Sequence, residues 1–443
     1  MTNILTRFAP SPTGLLHIGN VRTALVCYLL SKSQGGEFML RLDDTDTERS
    51  KEEYAEQIQK DLKWLGLKWD KFARQSDRMD RYEEIKRELI KAGRMYPCYE
   101  TQEELEIKRK MQLGRGLPPV YDRAALKLTD EAKAKFEAEG RNAHWRFKLD
   151  ETATIAWDDL IKGPVKFEAK NMSDPILIRE NGAPTYMLPS TVDDMDFEIS
   201  HVVRGEDHVS NTAIQIQIFE ALGAKIPTFA HHSLIKSKEG KLSKRVGGFD
   251  VGGLKEDGIQ PMAITSLLAR LGTSDPVELR DSVDELIKHF DITRFSKAAA
   301  NYDIEDVRRL NIKLIHAMSF EEAKEKLPSG VDEQFWSSVK GNITSLDDVR
   351  EWWSICREPL KPEIEDAEFT AEASALLPDG EWTLDTWNQW IDAVKAKTGR
   401  KGKQLFMPLR LALTARAHGP ELQYILPLIG REKAEARLAG KAA

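Results

Sequence analysis

Two groups of residues, far apart in a chain of 443, carry types and spacings suited to chemistry on a phosphate. The first is Pro10-Ser11-Pro12-Thr13-Gly14-Leu15-Leu16-His17-Ile18-Gly19-Asn20. It follows the apolar segment Ile4 to Ala9 and runs into Val21, Ala24, Leu25, Tyr28 and Leu29, spaced as one face of a helix. Strand, tight turn and helix put the free N–H groups and positive dipole end of a helix starting near Ile18 at the strand's carboxyl edge, where an anion can sit. Gly19 leaves room for close approach, and His17 offers a ring nitrogen. The second group is Lys241-Leu242-Ser243-Lys244-Arg245, three cations in five residues on a glycine-bearing loop. Either group alone reads as an ordinary turn or a solvated basic loop. Closed over one triphosphate, they would supply alignment and positive charge to a phosphoryl transfer.

The elements that must hold these groups can be read outward from them. Phe38-Met39-Leu40-Arg41-Leu42 is a strand-like segment opening onto Asp43-Asp44-Thr45-Asp46. Ser50-Lys51-Glu52-Glu53 has capping-box spacing ahead of Tyr54, Ile58, Leu62 and Leu65, a helical face stopped by Gly66. Strand, helix, strand, helix in succession predicts parallel pairing in a doubly wound α/β sheet, which binds ligands beyond the strands' carboxyl ends, where His17 and Asp43 both fall. Arg78 to Ala92 reads as a helix. The chain is expected to rejoin the sheet at Asp174-Pro175-Ile176-Leu177-Ile178-Arg179 and again at Ile199 to His208, before a helix from Asn211 to Leu222 stopped by Gly223. Arg204 stands at the end of that later strand. A guanidinium fixed there either grips a ligand carboxylate through two parallel bonds or closes an internal salt bridge to Asp193 or Asp207.

Between the halves of the sheet the character changes. Tyr96-Pro97-Cys98-Tyr99, the charged helix Glu103 to Met111, the turn Gly114 to Pro119 and alternating segments such as His144-Trp145-Arg146-Phe147-Lys148-Leu149 predict a mixed α+β insertion. After Arg245 the pattern is almost wholly helical, with amphipathic runs from Pro261 to Leu271 and Val283 to His289 and further short helices from Ile312 onward.

At 41% hydrophobic and 31% charged residues the composition is that of a soluble globular protein, and the length exceeds one core. No leader-like opening and no apolar run of membrane-spanning length is present. Cys27, Cys98 and Cys356 are scattered, form no CxxC pair, and read as packing residues in a reducing cytoplasm. A net charge of −7 argues against a general nucleic-acid binder, but its distribution is uneven. Thr344 to Asp392 holds 13 acidic and 3 basic residues, whereas Ala393 to Ala443 holds 3 acidic and 11 basic. Such a cationic end suits local phosphate contact, or else is a solvated helical tail.

The pair FAPSPTG…HIG and K-L-S-K-R, in this order, resembles the two signatures of class I aminoacyl-tRNA synthetases of the glutamyl and glutaminyl branch. Phe295 to Asp303 is similar to the stem-contact segment of the bacterial glutamyl enzymes, and Lys401 to Thr414 to their carboxyl-terminal segment. Glutaminyl relatives end in β-barrels, so the helical end here favours the glutamyl type. The resemblance implies a Rossmann-like catalytic domain at 1–80 and 175–235, an acceptor-binding insertion at 81–174, an all-helical stem-contact domain with the KLSKR loop at 236–312 and a helical anticodon-binding region at 313–443. It implies ATP-dependent ligation of L-glutamate to tRNA through a glutamyl-adenylate, with ATP taken with Mg²⁺, by a cytoplasmic monomer.

By the same resemblance, His17, Lys241 and Lys244 serve catalysis, and Ser11, Gly19, Asn20, Asp207 and Ser243 join them around ATP. Arg7, Ala9, Ser11, Asp43, Tyr186, Ser190 and Arg204 surround glutamate, and the glutaminyl branch has an uncharged residue at the position matching Arg204. Asp43 stands where the family usually has Glu to hold the substrate's amino group, and Ser190 where some relatives have Asn. Lys401, Lys403 and Arg410 are expected to contact tRNA. The acceptor implied is tRNA-Glu. Charging of tRNA-Gln stays open, because Asn342 aligns where some members carry an Arg that excludes it. Some members hold zinc in the insertion through a C-x-C and further Cys or His ligands. Here Cys98 is followed by Tyr99 and Glu100, one thiolate cannot make a tetrahedral structural site, and no zinc is expected. Two other readings share part of the pattern: a small-molecule nucleotidyltransferase, which has no need of the insertion and helical module, and a silent tRNA-binding paralogue, which has no need of His17 and Lys244.

Overall fold

The computed structural model describes residues 4–237 and 249–443. By Cα packing the chain divides into two compact units, Met1–Leu254 with Ile264–Asp303, and Lys255–Ala263 with Ile304–Ala443.

In the first unit β1 (Leu5–Phe8), α1 (Ile18–Ser33), β2 (Glu37–Leu42), α2 (Glu52–Trp64) and β3 (Lys71–Arg74) follow in turn, and the three strands pair in parallel as their alternation with helices predicts. The face expected on α1 is too narrow a description. Ile18, Val21, Arg22 and every residue from Ala24 to Ser31 are buried, the pattern of an interior helix. Arg22 is tolerated there because carbonyl oxygens receive it: its guanidinium donates to Ser233 O at 2.7 Å and Leu271 O at 3.0 Å. The capping box expected at Ser50 does not form. α2 starts one residue later than that motif requires, with Lys51 as N-cap and no side-chain cap bond, because the Lys51 N–H is bound to Pro12 O at 3.0 Å and tertiary pairing sets the entry angle. Gly66 ends the helix as expected, at φ +80°.

α3 (Met79–Lys91) leads into the insertion: β4 (Met95–Cys98), α4 (Gln102–Gly114), α5 (Asp130–Ala138), β5 (His144–Phe147), β6 (Thr154–Asp159), β7 (Gly163–Glu168) and β8 (Ile176–Ile178). β4, β5 and β8 make an antiparallel three-stranded sheet, and β6 and β7 a hairpin. The segment around Ile176 therefore does not rejoin the main sheet, as its apolar run suggested; it pairs with β5, with the Phe147 N–H bound to Pro175 O at 2.9 Å. An apolar run announces a strand but not its partner.

α6 (Met187–Asp196), β9 (His201–Gly205), α7 (Val209–Ala221) and β10 (Thr228–His232) complete a five-stranded parallel sheet of order β10-β9-β1-β2-β3. The order reverses at β1, which opens a crevice at the carboxyl ends of β1 and β9. β11 (Ile235–Ser237) pairs with β12 (Ala300–Tyr302). The second unit is helical throughout its described residues, around a core that includes Phe335, Trp336, Trp390, Leu405, Leu409 and Ile425. All three cysteines are buried and free. No helix among the described residues is long and apolar enough to cross a membrane.

Candidate active site

β1 delivers the chain to the crevice and His17 starts α1 there. His17 is the N-cap: its backbone is extended, and its Nδ1 accepts the N–H groups of Gly19 (3.1 Å) and Asn20 (3.3 Å). The helix N-terminus expected at Ile18 is in place, but the histidine itself takes up two of its donors. With Nδ1 accepting, the neutral ring carries its proton on Nε2, as a donor to an anion. A Cβ on Gly19 would lie 3.0 Å from His17 Cε1, so a larger residue there would have to push the capping ring aside. Lys241, Ser243 and Lys244 lie outside the described residues. The chain just beyond them returns to the same turn: Ile18 N–H donates to Phe249 O at 2.8 Å, Val251 N–H to Leu16 O at 3.0 Å, and His17 bridges Asp250.

On the other side of the crevice α6 presents carboxylates to the ends of β1 and β2. Asp194 accepts from Arg7 Nε at 2.9 Å and Nη2 at 3.2 Å, and from Arg41 Nη1 at 2.7 Å. Arg41 also donates to both oxygens of Asp43, at 2.7 and 3.2 Å, and to Ser190 Oγ at 3.4 Å. None of these five side chains belongs to a residue more than 6% exposed. Buried charges persist only when compensated, and here two guanidiniums face Asp194 and Asp43, with Asp193 Oδ2 a further 3.6 Å from Arg41 Nε. Burial alone would push the Asp194 carboxyl up, but Arg7 and Arg41 hold it below the usual range. For Asp43 burial outweighs Arg41 and raises its pKa to about 6. Asp193 turns the other way, to Arg78 Nε (2.7 Å), Gln75 (3.0 Å) and the Tyr82 hydroxyl (3.0 Å).

Arg204 closes the crevice at the end of β9 and differs from its neighbours. It is 5% exposed and forms neither of the salt bridges its sequence position allowed, to Asp193 or Asp207. Its guanidinium donates instead to neutral acceptors: Nη1 to the Tyr186 hydroxyl (3.0 Å), Nη2 to Thr212 Oγ1 (2.5 Å) and Gln215 Oε1 (2.7 Å), and Nε to His231 Nε2 (3.3 Å). Burial lowers its pKa from the ordinary value, outweighing the attraction of the more distant Asp194. Tyr186 is 38% exposed, and Ser11 and Asp207 are exposed. A Cβ on Gly205 would lie 2.5 Å from Asp207 Oδ1, so glycine lets that carboxylate fold back on the strand end.

Residues 3–309 match the model of the tRNA synthetases class I (E and Q) catalytic domain, and residues 358–441 match an anticodon binding domain. The chain belongs to the class I synthetases of the E and Q type. A glutamate–tRNA ligase of Azospirillum brasilense is 52% identical across all of both chains, and one of Parvibaculum lavamentivorans is 54% identical over 98% of each. A crystal structure of a glutamate tRNA ligase from Elizabethkingia meningosepticum in complex with its amino acid superposes with a TM-score of 0.85, at 29% identity and 98% coverage of each chain.

Some class I synthetases of this type carry zinc in the insertion, and the residues here can be tested for it. Cys98, Glu100 and His144 place ligand atoms within 4.8 Å of one another, the one such group among the described residues. His144 arrives from β5 and did not enter the ligand count made from sequence. Glu100 Oε2 and His144 Nε2 are buried without a hydrogen-bond partner, and burial keeps the imidazole neutral by lowering its pKa to about 4. The remaining features oppose a dication. Lys108 Nζ already sits 3.3 Å from Glu100, and the Arg146 guanidinium lies 4.0 Å over the Tyr121 ring, whose hydroxyl donates to Glu100 at 2.9 Å. Three donors with two resident cations do not fit a tetrahedral structural zinc.

In the second unit, Lys401 and Lys403 are exposed. Arg410 is half-buried and donates to Pro420 O at 2.9 Å. A cavity of about 920 Å³ is lined by Arg400, Lys403 and Arg416 together with Glu363, Glu365 and Asp366. Sequence reasoning missed Arg41, Asp194, Thr212, Gln215, His231 and Asp159 as parts of the crevice. Arg41, a cation inside an apolar strand, was the one with a visible signal.

Proposed function

We propose that this chain activates L-glutamate with ATP, taken with Mg²⁺, and transfers it to tRNA-Glu as a cytoplasmic monomer. The observation that supports the amino acid assignment is Arg204: a buried guanidinium held by neutral groups, with an edge turned to the half-open Tyr186. A glutamate side-chain carboxylate supplies the anion that this cation lacks, through charge-assisted bonds; the amide of glutamine brings no charge and would set an NH₂ against a donor. In this reading Arg7 joins Arg204 on the substrate's carboxylates, Asp43 and Ser190 take the amino group, and Ala9 and Ser11, where the chain leaves β1, line the pocket.

The α-carboxylate of glutamate attacks the α-phosphorus of ATP, the bond to pyrophosphate breaks, and glutamyl-adenylate forms. A carboxylate is already ionised at neutral pH, so no side chain has to remove a proton. Alignment and positive charge are what the chain contributes. His17 donates from Nε2, Gly19 leaves room for close approach, the side chains of Ser11, Asn20, Asp207 and Ser243 orient the nucleotide, and Lys241 and Lys244 follow the developing charge. Mg²⁺ accompanies the triphosphate and lowers the charge of the leaving group. The terminal adenosine hydroxyl of tRNA then attacks the adenylate carbonyl and AMP leaves. The insertion holds the acceptor end, and the helical unit, with Lys401, Lys403 and Arg410, takes the anticodon side.

The test is charging of total tRNA with radiolabelled glutamate and ATP, with glutamine in parallel. Glutamate is incorporated and glutamine is not, and Lys244→Ala lowers the rate by about 10²–10³, the cost of losing one preorganised donor in an oxyanion hole. Purified tRNA-Glu and tRNA-Gln, assayed separately, decide how many acceptors are used. Equal incorporation of glutamine overturns the reading.

A further inference from the structure

Behind Arg204 lies a second layer that the proposed mechanism does not use. Asp159, the last residue of β6 in the insertion's hairpin, and His231, on β10, both have fully buried side chains. Asp159 Oδ2 is 2.5 Å from His231 Nδ1. Its other oxygen, Oδ1, is committed to three backbone N–H groups, those of Ile161 (3.0 Å), Lys162 (2.9 Å) and His231 (3.0 Å). On the far side of the ring, His231 Nε2 lies 2.9 Å from Thr212 Oγ1 and 3.3 Å from Arg204 Nε.

These bonds admit one protonation pattern. Arg204 Nε–H can only donate, so His231 Nε2 must accept, and the imidazole proton must sit on Nδ1 and point at Asp159. Thr212 Oγ1 accepts from Arg204 Nη2, and its own hydrogen has two acceptors in reach, His231 Nε2 at 2.9 Å and His208 O at 3.4 Å. A doubly protonated imidazole would set N–H against N–H, and burial accordingly lowers the His231 pKa. Asp159, with its backbone donors and the histidine, stays ionised, its pKa lowered to about 2.

We propose that Asp159 and His231 are positioning residues for amino acid recognition: the carboxylate fixes the histidine tautomer, and the histidine holds the Nε edge of Arg204 so that its Nη1 edge faces the substrate carboxylate. The proposal rests on Arg204 being the glutamate-binding cation. It also assigns a task to the hairpin of the insertion, which carries Asp159 into the wall of the amino acid pocket.

Asparagine at 159 is the discriminating change. Its amide oxygen takes over the backbone donors at Oδ1, which leaves the NH₂ facing His231 Nδ1. The histidine must then accept there and protonate Nε2, and that N–H opposes Arg204 Nε–H. In full-length enzyme, Asp159→Asn raises the KM for glutamate at least tenfold, with the KM for ATP within twofold of wild type and kcat at saturating glutamate largely kept. His231→Gln added to Asp159→Asn recovers most of the glutamate KM, because the glutamine oxygen accepts at the Nε2 position without any tautomer. A merely structural role for Asp159 predicts no such suppression.

Arg204→Gln is run alongside. If it leaves the glutamate KM unchanged, the reading of Arg204 fails. If it raises that KM while Asp159→Asn does not, the positioning role alone is overturned. Should Asp159→Asn not fold, the ¹⁵N shifts of His231 in the wild-type enzyme decide the matter: Nδ1–H supports the proposal and Nε2–H overturns it.

Discussion

Arg7 and Arg204 are both buried guanidiniums at the carboxyl edge of the sheet, yet only Arg7 has a carboxylate within bonding distance. The difference leaves Arg7 compensated within the fold and Arg204 held by neutral acceptors. Asp194 is the keystone of that compensation, since it joins Arg7 to Arg41. Asp194→Ala strands the buried Arg7, whereas Arg41 keeps Asp43, and is expected to cost about 3–5 kcal/mol in urea unfolding, the scale for breaking one partner out of a buried pair. Asp43 sets a pH dependence. Its carboxyl is raised to about 6 by burial, so it is ionised above that pH and neutral below it. If it faces the substrate's ammonium group, the KM for glutamate rises as pH falls from 7 through 6, while the KM for ATP does not follow. The stability term has the opposite sense: ionising Asp43 is harder in the fold than in the unfolded chain, so this residue's penalty appears as pH rises from its ordinary 3.8 toward 6.

The elements carry these side chains through their ends. The start of α1 is fixed by His17, whose Nδ1 caps it, and by Gly19, which leaves the ring its place. His17→Ala therefore removes a cap worth about 1 kcal/mol and, under the proposed mechanism, a donor worth about 10²–10³ in rate. His17→Asn restores the cap and not the Nε2 donor, so it is expected to recover the unfolding midpoint without the activity. Within the insertion, β4 and β5 bring Cys98, Glu100 and His144 together, but Lys108 and Arg146 already supply positive charge there. Elemental analysis of purified enzyme is expected to find zinc well below one equivalent, and Arg146→Ala to lower the melting temperature without changing the metal content. One tightly held zinc per chain would overturn this account of the cluster.

At the scale of the molecule, charge is sorted along the chain. The last segment, Ala393 to Ala443, holds 11 basic and 3 acidic residues in a protein of net charge −7. Not all of those cations are available to a polyanion. Arg437 is fully buried and donates to Leu413 O, Glu358 O and Ala443 O, tying the end of the chain down, and Arg410 is half-buried. Lys401 and Lys403 are exposed. Binding that depends on phosphate contacts weakens steeply with salt. The KM for tRNA is thus expected to rise several-fold from 50 to 200 mM KCl, whereas the KM for glutamate, set in a buried pocket, changes far less.

Much of this protein is legible in local sequence. Helical spacing after His17, the apolar run ending at Leu42, the stop at Gly66 and the helical end of the chain are all periodicities and punctuation, which act over a few residues and need no knowledge of the fold. The start of α1 at His17 and Gly19 was legible in the same way. What only the tertiary structure decided is pairing. Arg7 meets Asp194 across 187 residues, and Asp159 meets His231 across 72. The strand at Ile176 chose β5 over the main sheet, Lys51 gave its N–H to Pro12 in place of a capping box, and His144 joined Cys98 and Glu100. Spacing along the chain fixes which face a side chain takes, because backbone geometry repeats; it does not fix which charge it meets, because that depends on where distant strands are brought side by side.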